Sequence, residues 1–121
     1  MKIATQDARA FDKLQSEFIL QGWDDSIQLQ QLSDQLLNYE SMEIIGGNVN
    51  LGTTGFSIGG HFRNSLICPQ INFSGTYEAI RIFGNKELGM IDIGQIYAPG
   101  AGTGIKLAGL INGEVKSTIY G

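Results

Sequence analysis

Glycine placement constrains this chain more than any other feature. Of seventeen glycines, only Gly22 precedes position 46, and the other sixteen follow, beginning with Gly46-Gly47. Glycine weakens helix interiors and suits turns, so so dense a spread favours short extended runs broken by turns. The stretch Ile44-Ile45-Gly46-Gly47 thus marks a change of character. Residues 1–45 read as an acidic helical arm and residues 46–121 as a glycine-rich β body. The expected class is α+β, mainly β: two short helices, then an antiparallel meander, sandwich or barrel.

Charge follows the same division. Residues 1–45 hold three bases and eight acids, a net −5, whereas residues 46–121 hold five bases and four acids, a net +1. A nearly neutral body repels copies of itself weakly, which favours association. Arg63, Arg81, Lys86, Lys106 and Lys116 are scattered singly, without the basic stripe of a nucleic-acid binder. One cysteine, Cys68, excludes an internal disulfide framework. The first ten residues lack the apolar centre of a secretory signal, so synthesis in the cytoplasm is expected, with the protein part of a particle. No apolar run approaches the ~20 residues of a membrane helix.

Along the arm, Ala8, Phe11, Leu14 and Phe18 recur at helical spacing, and Thr5 or Asp7 can cap a helix over residues 5–21 that Gly22 stops. Asp25, with Gln28 three residues on, resembles a capping box for a second helix carrying Leu29, Leu32, Leu36 and Tyr39 on one stripe. Helices this short need a partner for their apolar faces: each other, the body, or another subunit.

Beyond Gly47 the period becomes that of strands. Val49/Leu51, Phe56/Ile58, Leu66–Cys68, Ile71/Phe73, Tyr77–Phe83, Met90–Tyr97, Ile105–Ile111 and Val115–Tyr120 are short apolar runs divided by glycine-bearing turns. Pro69 demotes its run to an edge or strand end. Gly84-Asn85 reads as a turn, residues 99–104 as a loop, and Asn112-Gly113 as a type I′ hairpin turn. The glycines follow no exact repeat, which argues against a solenoid. They suit turns and bulges, or close backbone approach between packed copies.

Chemistry-bearing clusters are absent from the pattern. His61 and Cys68 stand seven residues apart, the histidine after a turn and the cysteine in an apolar run, which suits a buried structural thiol. No metal-ligand spacing occurs, and Asp24-Asp25 is accounted for by helix capping. Glu78, Glu87, Asp92 and Glu114 fall where solvated positions explain them. The glycines at 100–104 lack the lysine and hydroxyl residue of a phosphate loop. No catalytic residue, cofactor or metal is therefore expected.

Leu36, Glu40, Ile44, Gly46 and Gly47 stand at the spacing seen in double-glycine leader peptides of the bacteriocin type, which this short segment resembles. The resemblance implies a leader over residues 1–47, cut after Gly47 by a peptidase-transporter, and an exported core over residues 48–121. The same two glycines otherwise serve as a helix stop and hinge.

Three functions follow as expectations. The first is a non-catalytic, self-associating structural subunit of a virion-like shell, tube or fibre. Its arm would dock on copies of itself or other structural subunits through Phe11, Leu14, Phe18, Leu29, Leu32 and Leu36. The second is the cleaved precursor. The third is a β module holding a small ligand or glycan, with Trp23, Phe56, Phe62, Tyr77 and Tyr97 as stacking surfaces.

Overall fold

A computed structural model describes residues 1–83, 87–100, 103–108 and 113–120. The fold is mainly β, as the apolar runs require. Strands β3 (Ser41–Ile45), β4 (Asn48–Gly52) and β5 (Phe56–Ile58) are followed by β6 (Ser65–Phe73), β7 (Glu78–Phe83), β8 (Met90–Tyr97), β9 (Thr103–Ala108) and β10 (Glu114–Tyr120). They are preceded by β1 (Lys2–Ala4), α1 (Ala10–Leu14), β2 (Phe18–Ile19) and α2 (Ser26–Asp34).

The pairing overturns the expected antiparallel meander. Every strand pair among the described residues is parallel. Ser41 pairs with Ser65 and Leu66 with Ile91, offsets of 24 and 25 residues. Phe56 pairs with Ile80 and Ile80 with Ile105, the same two offsets in the second sheet. From β3 to β10 the chain therefore winds as a parallel coil, one turn per 21–25 residues, and the solenoid that inexact glycine spacing argued against is the architecture. The repeat lies in which positions face inward, not in residue identity. Nor do β9 and β10 form a hairpin: β9 pairs with β7 and β10 with β8, in separate sheets. Asn112, Ile111 and the Gly84-Asn85 turn lie outside the described residues, and Thr103 and Gly104 already belong to β9.

Inside the coil, apolar residues stack in columns. Met42, Leu66 and Ile91 form one, Val49, Ile71 and Ile96 another, and Phe56 and Ile80 a third, all buried. At roughly 25 cal/mol per Å² of apolar surface removed from water, these columns supply the main stabilising term.

Pro69 sits inside β6, between β3/β4 on one side and β8 on the other, rather than at an edge. The inward alternation shows how it is tolerated. Leu66 and Cys68 face in, then Ile71 and Phe73, so Pro69 and Gln70 are consecutive residues off the core. In β8 the phase slips likewise at Gly94-Gln95, between Ile93 and Ile96. Such a slip turns a strand through a corner. In the first turn of the coil, Gly46-Gly47 occupies the same place: Glu43 aligns with Ile67 and Asn48 with Gln70. Gly46 has φ +126° and abuts the Thr5 side chain, a position hostile to a Cβ. The glycine pair is thus a corner of the coil rather than a junction between arm and body.

The first 45 residues differ most from the expected arm. The helix expected over residues 5–21 is only the five residues of α1, and Phe18 lies in a strand. β1 pairs with β3 and β2 with β1, extending the large sheet. α2 forms as its apolar spacing requires, but Leu29, Leu32 and Leu36 are buried in the chain's own core. They already have a partner and are not available to neighbours. Phe11 and Leu14 are exposed, and Phe18 is half-buried against the core.

α2 also satisfies the free edge of the second sheet. The Ser57 N–H donates to Gln30 Oε1 at 2.7 Å, and Ser33 Oγ donates to the Ser57 carbonyl at 2.6 Å. A helix thereby stands in for a missing strand at β5.

Candidate binding groove

Because each strand turns a corner, the halves of β4, β6 and β8 after it present their own outward row. Asn48 aligns with Gln70 and Gln70 with Gln95; Asn50 aligns with Asn72 and Asn72 with Tyr97. These amides are linked. Asn72 Nδ2 donates to Asn48 Oδ1 at 3.1 Å and Asn50 Oδ1 at 3.0 Å, while Gln70 Nε2 donates to Asn72 Oδ1 at 3.0 Å. Cross-strand hydrogen bonds of this kind fix rotamers before any ligand arrives.

The amide row lines the first of three hollows that share residues in turn, which together make up the candidate groove. At one end a hollow of about 420 Å³ is lined by Gln6, Asp7, Gly22, Asn48, Asn50 and Asn72. Asn72 also lines a second hollow of about 460 Å³ with Phe73, Ser74, Tyr97 and Pro99. Phe73 is shared in turn with a third, of about 560 Å³, whose other walls include Thr53, Thr54, Tyr77, Glu78, Arg81 and Lys106. Tyr77 is 80% exposed and Tyr97 53% exposed, so both rings offer a face to solvent.

The charged groups differ between the ends. The Asp7 carboxylate accepts from Thr5 Oγ1 at 2.6 Å, Asn48 N at 3.1 Å and Asn48 Nδ2 at 2.8 Å, with Gly47 N at 3.3 Å. The Thr5 hydroxyl and then Asn48 hold its carboxyl well below the usual carboxylate range. At the far end, Arg81 Nε and Nη2 both donate to Glu78 Oε1, at 3.1 and 2.8 Å. Glu78 is held below its ordinary value first by a backbone hydrogen bond, then by Arg81, with Lys106 adding attraction. Lys106 stands beside Arg81 in register and has no salt bridge among the described residues.

Of the five aromatic residues expected to stack on a ligand, Tyr77 and Tyr97 line neighbouring hollows that share Phe73. Phe56 lines the Tyr77 hollow but is buried, Trp23 is exposed over a separate hollow beside Ile27, and Phe62 packs edge-on to Tyr39. The amide row was missed in the sequence. Its only signal was Asn48, Asn50, Gln70, Asn72 and Gln95 beside apolar residues, which becomes a surface only once the coil stacks them.

The other candidates are dispersed. Burial pushes the Cys68 thiol far up, and His61 is exposed in a turn, its N–H donating to Asn64 Oδ1 at 3.0 Å. Asp25 does not cap α2 through its side chain; buried, it accepts from Gly22 N at 2.7 Å and Asn50 N at 2.9 Å, tying the helix to β4. Gln28 donates to the Ile19 carbonyl instead of closing a capping box. Among the described residues no cluster of His, Cys, Asp or Glu could hold a metal, and no helix is long and apolar enough to cross a membrane. Of the leader-like residues, Leu36 and Ile44 are core, and Gly46-Gly47 is the corner described above.

No family model, curated protein or solved structure matches the chain.

Proposed function

We propose that the protein is a non-catalytic binding module for a carbohydrate chain lying along the groove. The observation that carries this reading is a pair of exposed tyrosine rings, Tyr77 and Tyr97, lining neighbouring hollows, Tyr97 beside the mutually fixed amides. A sugar ring has an apolar C–H face, which stacks on an aromatic ring, and a rim of hydroxyls, which both donate and accept. Asn and Gln also do both, so an amide row matches that rim without a buried charge. Fixed side chains lose little entropy on binding.

The test is an amide chemical-shift titration with cellotetraose, chitotetraose, neoagarotetraose, κ-neocarratetraose and trigalacturonic acid. Shifts confined to the groove residues are expected for at least one. Tyr77→Ala should weaken that complex about tenfold, roughly 1.4 kcal/mol. No perturbation by any of them at millimolar concentration would remove the reading.

Self-association is a second reading, resting on the last turn of the coil. Ile105 and Val115 are only partly buried, although their register partners Ile80 and Ile91 are fully so. Among the described residues no strand pairs with the outer edges of β9 and β10, and an edge of parallel strands is a template for another chain. Sedimentation velocity over a wide concentration range tests it, and a single monomeric species throughout would exclude it.

A further inference from the structure

We infer that the Tyr77 end of the groove takes an acidic substituent on the sugar, a carboxylate or a sulfate, with neutral sugars lying toward Asn50 and Asn72. This rests on the carbohydrate reading and adds a direction and a chemical class to it.

The lining of that end carries Arg81 and Lys106 against Glu78, a surplus of one positive charge. The whole chain is −4, so this is a cationic spot on an anionic molecule. Glu78 engages Arg81 through Nε and Nη2 alone. Of the five guanidinium N–H donors, three are left outside that pair. The pair also locks the guanidinium plane, preparing the geometry in which arginine meets an oxyanion. Lys106, beside it in register, supplies the uncompensated charge, and the Thr53 and Thr54 hydroxyls line the same hollow.

At the opposite end the only charged lining residue is Asp7, an acid whose oxygens are already engaged by Thr5, Gly47 and Asn48. An acidic sugar there would meet like charge with no cation to offset it. The three hollows thus differ in their charged lining, with Asp7 in the first, none in the second and a positive surplus in the third, a difference that favours one orientation of a ligand as well as its class.

Calorimetric titration of the full chain tests this with two pairs of probes: trigalacturonic acid against its methyl ester, and κ-neocarratetraose against its desulfated form. The acidic member of at least one pair should bind about five- to tenfold more tightly, and the gap should shrink as salt rises. Whichever pair shows the gap tells a carboxylate from a sulfate. Lys106→Gln should close most of it while leaving the neutral member's affinity within about twofold. Equal affinity within both pairs, or a gap that survives Lys106→Gln, overturns the inference and leaves the carbohydrate reading standing. Failure of all four probes overturns the inference; the carbohydrate reading falls only if cellotetraose, chitotetraose and neoagarotetraose fail as well.

Discussion

The two ends of the coil hold equivalent sheets and treat them differently. At the N-terminal end α2 covers the second sheet, its leucines fill the core opening, and β1 and β2 continue the first sheet. In the last turn Leu107 is 53% exposed, where its register partner Ile82 is 0% exposed. A parallel coil exposes a cross-section of its core at each end, so some element must serve as a lid. Here the segment that reads as an arm is that lid. Its acidity fits the task, because charged outer faces keep a covered end from pairing further.

The largest effect that sharpens this contrast is Leu29→Ala, which should cost about 2–5 kcal/mol in urea unfolding, because the side chain is wholly buried between lid and coil. Leu107→Ala, on the other end, should stay within roughly 1 kcal/mol. Equal losses at the two sites would break the comparison. Next, Asp25→Ala leaves the Gly22 and Asn50 N–H groups without their acceptor, at about 2–4 kcal/mol. Hydrogen exchange should report the loss first in α2 and β4; uniform loosening of the whole coil would argue that the lid is not a separable element.

The smallest effect concerns pH. Asp7 has a folded pKa below its unfolded value, so its contribution is complete above about pH 4 and is lost as acid protonates it on the way down. Asp7→Asn should flatten the acid side of the stability profile, with the two curves meeting in acid and the variant lying slightly below at neutral pH, by little because the group is exposed. An unchanged acid limb would show that Asp7 does not pin the first residues to the Gly46-Gly47 corner.

Much of the local structure was legible in the residues. Ile91 and Ile93 alternating with Asp92 do form β8, Val49 and Leu51 with their asparagines form β4, and Leu29 and Leu32 lie in α2, with Leu36 buried just beyond its end. Phe11, Leu14 and Phe18 misled because helical spacing records only what one helix would bury. The pairing of β2 with β1, and of β1 with β3, instead placed Phe18 in a strand and left Phe11 and Leu14 in solvent. Of the groove, the two tyrosines were legible only as two of five candidate stacking rings, and the amide row was not legible at all.

Period-two apolar runs and glycine turns alone determined that this chain makes short strands and where most of them lie. Whether those strands run with or against one another was decided only in three dimensions. Alternation encodes which face meets the core, and that face is the same for a neighbour ten residues away or twenty-four. Choosing the distant neighbour requires corners at Gly46-Gly47, Pro69 and Gly94 to superimpose, a condition on stacked turns that no single window of sequence contains.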